Sequence, residues 1–152
     1  MSLKLIHAIE QGGIFPELEK FLLPHEKFCS TLYEKVLTQD ESVYAIVDEN
    51  VQGVFSFSKG HSFVCCIPKW SKEMKKVVSD FMKDKKVFCI HGEESEVLKM
   101  ERLLKNKYEE KDCRNMFLME YGGQVYIDEG APKAFVCQME DCERLMQLQT
   151  GF

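Results

Sequence analysis

The spacing of apolar positions changes from two to 3.6 between residues 42 and 86, and that change predicts the architecture. Val43-Tyr44-Ala45-Ile46-Val47, residues 51–57 and residues 63–67 are β-branched and aromatic runs. Asp48-Glu49-Asn50 and Lys59-Gly60 separate them, which predicts three strands of an antiparallel meander. From Trp70 to Lys83 the apolar residues fall at Trp70, Met74, Val77, Val78, Phe81 and Met82, one face of a helix, and lysines fill much of the remaining surface. Pro68-Lys69 marks the turn between sheet and helix, the place to look for a site.

On either side the pattern is less uniform. Leu3, Ile6 and Ile9 suggest a weak first helical turn ended by Gln11-Gly12-Gly13. Pro16-Glu17 opens a helix with Leu18, Phe21 and Leu22 inward, and Pro24 interrupts it. A second helix is expected over residues 25–38, with Phe28, Cys29, Leu32, Tyr33, Val36 and Leu37 as its stripe. Val87-Phe88-Cys89-Ile90, closed by His91-Gly92, reads as a strand covered on both faces. Glu93-Glu94-Ser95-Glu96 puts acids at the start of a helix whose Val97, Met100, Leu104 and Tyr108 keep helical spacing. Residues 116–121 and 124–127 suggest a hairpin around Gly122-Gly123, residues 128–133 a connector, residues 134–137 a strand and residues 139–149 a helix.

Composition narrows the function classes. The chain has 152 residues, 45% of them hydrophobic and 30% charged, enough for one buried core. A net charge of −5 argues against general nucleic-acid or anionic-membrane binding. No apolar run approaches the roughly 20 residues of a membrane helix. His7, Glu10 and Gln11 interrupt the opening residues too soon for a secretory segment, so a cytoplasmic location is expected. The seven cysteines show no paired spacing with histidines at zinc-finger distance, and adjacent Cys65 and Cys66 must point to opposite faces of a strand. Reduced, largely buried thiols and no metal site are the expectation. A catalytic thiol would need a partner, for which His61 and His91 are candidates.

The central order is helix, helix, strand, strand, strand, helix, strand, helix, strand. It resembles the GNAT acyl-CoA N-acyltransferase superfamily over about residues 16–127, and Leu103-Leu104-Lys105-Asn106-Lys107-Tyr108 leading into Met116-Phe117-Leu118-Met119 has the texture of that family's late helix and strand. The resemblance implies an α/β (α+β) fold with a mixed, largely antiparallel sheet and helices on both faces. The family's Q/R-x-x-G-x-G/A segment, whose backbone N–H groups cradle the pyrophosphate of acetyl-CoA, would fall on Ile67-Pro68-Lys69-Trp70-Ser71-Lys72-Glu73. Glycine is missing there, proline removes a donor and tryptophan fills the loop. No cofactor is therefore expected on this chain, and acetyl-CoA is implied only for a parent enzyme. Residues 135–149 resemble the opening strand and helix of a second such domain. The expected domains are thus a degenerate GNAT-like unit, residues 1–130, and a linker with the possible start of a second domain, residues 131–152.

Lys69, Ser71 and Lys72, at the predicted helix start, are the candidate anion ligands, on dipole grounds. The wider run with Lys75, Lys76, Lys83, Lys85 and Lys86 reads either as a solvated helix face or as a hold for a phosphate or an acidic partner. Trp70 reads as core through its spacing with Met74 and Val77, or as a stacking platform. Catalytic residues are not identifiable. Two functional readings follow. One is the N-terminal domain of an N-acetyltransferase, inactive alone and packed against a following catalytic domain or a second copy of the chain; the other is a free-standing binding or interaction module.

Overall fold

In the computed structural model, which describes residues 2–108 and 138–150, the 42–86 segment folds as its periodicity predicts. Strands β2 (Val43–Val47), β3 (Val51–Phe57) and β4 (Ser62–Cys66) form the antiparallel meander, and α3 (Lys72–Met82) follows. Before them come α1 (Phe15–Leu22) and α2 (Glu26–Leu37), with the Pro24 break drawn into a short 3-10 turn, Leu23–His25. After α3 come β5 (Cys89–His91), parallel to β4, and α4 (Glu94–Leu104). The fold is mixed α/β, with helices on both faces of a five-stranded mixed sheet among the described residues. Two compact units divide the chain, Met1–Leu118 and Met119–Phe152. In the second, a 3-10 turn at Met139–Asp141 leads into α5 (Cys142–Thr150). The hairpin expected at 116–127, the connector 128–133 and the strand 134–137 lie outside the described residues.

The first strand corrects the start of the expected helical turn: helical structure begins later, as a 3-10 segment at Ala8–Ile14, and runs through Gln11-Gly12-Gly13 instead of ending there. Residues Lys4–His7 form β1, an edge strand among the described residues, antiparallel to β2 with Ile6 opposite Ala45 and His7 opposite Tyr44. Leu3, Ile6 and Ile9 fit a helical turn, but four residues make too little helix to hold itself, and the open edge of β2 offers a full ladder of partners. His7 completes the junction. Its ring stacks on Tyr44 with centroids 4.7 Å apart, and Nε2 lies 2.6 Å from the Glu41 carbonyl.

Side-chain alternation sends each strand's residues to two separate cores. Val43, Ala45, Val54, Val64 and Cys66 pack with Phe15, Leu18 and Leu22 of α1 and with Cys29, Leu32 and Val36 of α2. Ile46, Phe55, Phe63, Cys65 and Ile67 pack on the other side with Met74, Val78 and Met82 of α3 and with Met100 and Leu104 of α4. Cys65 and Cys66 therefore face opposite cores, as their adjacency requires. Phe55 centres the second core, its ring 5.3 Å from Tyr44 and 5.0 Å from both Phe63 and Phe81. Trp70 joins this core as a core reading expects, but from the loop before α3 and not from the helix that its spacing predicts, which starts after the Ser71 cap.

Three expected faces shift. In α2, Phe28 and Leu37 are 56% and 52% exposed, because the helix kinks at Cys29 (φ −136°, ψ 34°) and its buried line narrows to Cys29, Leu32 and Val36. The strand expected over residues 87–90 is shorter and open: Val87 enters the core, Phe88 is 76% exposed, and only Cys89–His91 pair with β4. In α4 the buried line is Glu96, Met100 and Leu104, with Val97 half-buried.

Helices α3 and α4 are tied at their C-terminal ends. Lys107 Nζ donates to the carbonyls of Met82, Lys83 and Lys85 at 2.8, 2.9 and 2.8 Å, and the Tyr108 hydroxyl donates to Lys85 O while accepting from Val87 N. A cation here satisfies carbonyls that a helix end leaves unpaired, and it sits at the negative pole of the dipole. Lys107→Met keeps the aliphatic stem and removes these bonds. It should lower unfolding free energy by about 1 to 3 kcal/mol in urea titrations, whereas Lys105→Met, with no such role, should change it by less than about 0.5 kcal/mol.

Candidate functional site

The turn between β4 and α3 is the location that the change of period singled out, and one of the first backbone donors of α3 is already engaged. Ser71 adopts extended backbone (φ −72°, ψ 169°) and its hydroxyl accepts from Met74 N at 3.0 Å, a regular N-cap. Glu73, in the first turn, accepts from Leu3 N at 2.8 Å. The helix dipole is thus already complemented by a carboxylate, and a phosphate brought to the same turn would meet that negative charge. Of the three candidate anion ligands, Ser71 serves as the cap, while Lys69 and Lys72 are exposed beside it.

Close packing shuts the corner further. A side chain at Gly53 of β3 would bring Cβ to 3.1 Å from Ile67 Cγ1 and 3.6 Å from Met74, so glycine there lets Ile67 and α3 lie against the strand. Gly92 does the same at the entry to α4, where an added Cβ would lie 3.3 Å from the Cys65 carbonyl oxygen.

Glu96 is the residue that the sequence reading missed. Read as one of several acids at a helix start, it is in fact 5% exposed, and its Oε1 accepts a short hydrogen bond from Ile67 N, the first backbone donor past β4. Burial pushes its carboxyl up to about 7; the Ile67 N–H and Lys99 oppose the rise, and Glu93 adds to it. The available signal was positional, since Glu96, Met100 and Leu104 are spaced four apart and the latter two had been read as inward.

A cavity of about 160 Å3 lies between α3 and α4, lined by Lys75, Lys99, Arg102 and Leu103. It gathers positive charge from two helices. Lys75 belongs to the basic run seen in the sequence, whereas Lys99 and Arg102 come from α4, and only the tertiary fold brings them together. Among the described residues, no group of three or more His, Cys, Asp or Glu side chains is placed to hold a metal ion. No helix of the described residues is long and apolar enough to cross a membrane. No family model matches the chain, no curated protein matches it, and no solved structure matches it.

The raised Glu96 carboxyl links this corner to stability. Unfolded, the group titrates near the ordinary glutamate value of about 4.3, and folded near about 7. Between those values the native state holds a proton that the unfolded chain releases, so stability falls as pH rises through that window, and above it the full cost remains. That cost is about 3 to 4 kcal/mol. Glu96→Gln keeps an oxygen for Ile67 N and removes the titration. The variant should be more stable than the parent at pH 8 and similar to it near pH 4.5 in urea denaturation; parallel pH curves would contradict the assignment.

Proposed function

We propose that this chain is the GNAT-like N-terminal domain of an N-acetyltransferase, one that does not itself bind acetyl-CoA and that packs against, or shapes the substrate groove of, a following catalytic domain. The element order supports the family reading: β1, two helices, the β2–β4 meander, α3, a strand parallel to β4, and α4. The observation that carries the silent role is the start of α3. Its loop holds Pro68 and Trp70 in place of glycines, Ser71 caps the helix internally, and Glu73 places a carboxylate in the first turn. Pyrophosphate recognition needs free backbone donors and room for a close approach. Here Ser71 already takes the Met74 N–H, and Glu73 adds negative charge to the same turn.

The partner role rests on apolar surface. In the second unit, Leu145 and Met146 of α5 are 45% and 56% exposed, and Met139 just before it is 84% exposed. Apolar area left in water is unfavourable at roughly 25 cal/mol per Å2, so a covering surface, from a following domain or a second copy of the chain, would stabilise this segment. In the first unit, the cavity formed by Lys75, Lys99 and Arg102 would by itself favour acidic groups on a partner. The working location of such an enzyme is the cytoplasm, where cysteines remain reduced.

Acetyl-CoA added at millimolar concentration should leave the melting temperature of the chain unchanged and give no saturable heat in calorimetry, since any ligand selective for the native state must raise its stability. A saturable isotherm with micromolar affinity would overturn the proposal.

A further inference from the structure

Strand β5 carries a feature that the proposed role does not use. Cys89 and His91 are two residues apart on one strand and so lie on the same face, with Cys89 Sγ 3.1 Å from His91 Nε2. Both are exposed. Ile90 between them turns to the opposite face, against the core formed with α3 and α4. The β2–β4 residues on the Cys89 side lie under α1 and α2, but the contacts of α2 reach β3 and β4, and both side chains on β5 remain open to solvent. Three other thiols of the described residues, Cys29, Cys65 and Cys66, are buried. Cys142 is exposed, with no histidine partner among the described residues.

We infer that Cys89 and His91 form a nucleophilic dyad and that Cys89 is a site of mixed-disulfide formation with small disulfides. The thiol donates its proton to Nε2 of a His91 ring whose own proton is on Nδ1. The sulfur electron pair attacks one sulfur of the disulfide R–S–S–R, a new S–S bond forms to Cys89, and the old S–S bond breaks. The departing R–S⁻ leaves as thiolate when it is weakly basic, the His91 proton then passing to solvent, or takes that proton when it is an alkyl thiolate; the products are the Cys89 mixed disulfide and R–S⁻ plus H⁺ or R–SH, with no other oxidant needed. His91 acts at the reacting atom as general base, and as general acid where the leaving thiolate takes up the proton.

The test uses the full chain and an aromatic disulfide, 5,5′-dithiobis(2-nitrobenzoate), whose released thiolate absorbs visible light; peptide mass mapping assigns the rate to each cysteine. Cys89 should react first among Cys29, Cys65, Cys66, Cys89 and Cys142. His91→Gln should slow Cys89 by about tenfold or more while leaving the Cys142 rate unchanged. Because His91 is exposed, the variant should fold, and circular dichroism verifies this. Glutathione disulfide, a bulkier, aliphatic probe, should give the same order of sites. Equal rates at Cys89 and Cys142, or a Cys89 rate indifferent to His91→Gln, would overturn the inference.

Discussion

Everything in the first unit depends on the sidedness of β3 and β4. Because successive side chains on a strand point to opposite faces, seven residues of β3 supply both Val54 to the core under α1 and α2 and Phe55 to the core under α3 and α4. A slip of one residue in the β3–β4 register would exchange Cys65 with Cys66 and expel Phe63 from its aromatic neighbours. The helices have no comparable freedom to choose sides. Each follows the apolar set that the sheet already presents.

That same constraint shapes the corner at the end of β4. Beyond Cys66 the ladder has run out, yet Ile67 remains buried with its side chain against Gly53 and α3. Its backbone N–H needs an acceptor, and in a buried setting an unpaired amide costs about 1 to 3 kcal/mol. Glu96 provides the acceptor from α4, at the expense of holding a carboxylate out of water. The raised Glu96 carboxyl, the tight approach at Gly92 and the internal capping of α3 are thus connected consequences of ending one strand inside the core.

Much of the fold was legible because periodicity is written in consecutive residues: the meander, α1 to α4 and the opposed directions of Cys65 and Cys66 follow from spacing alone. Two of the misses have a shared cause. Strand β1 exists because β2 has an open edge, and Glu96 is buried because Ile67 needs an acceptor, both depending on a neighbour distant in sequence; Phe28 is exposed where α2 kinks at Cys29, a local break that helical spacing does not show. The candidate site was legible only as a location. Lys69, Ser71 and Lys72 marked the right helix start, but the capping by Ser71, the Leu3 bond to Glu73 and the meeting of Lys75 with Lys99 and Arg102 are tertiary facts.

Amide hydrogen exchange, read residue by residue by nuclear magnetic resonance, tests most directly whether the corner is closed by the protein's own groups. The account predicts that Ile67 N–H, bonded to Glu96, and Met74 N–H, bonded to Ser71, exchange as slowly as the central amides of β3. Exchange at Ile67 and Met74 as fast as in the exposed turn at Lys59 and Gly60 would contradict it, because those donors would then be open to solvent and available to a bound anion.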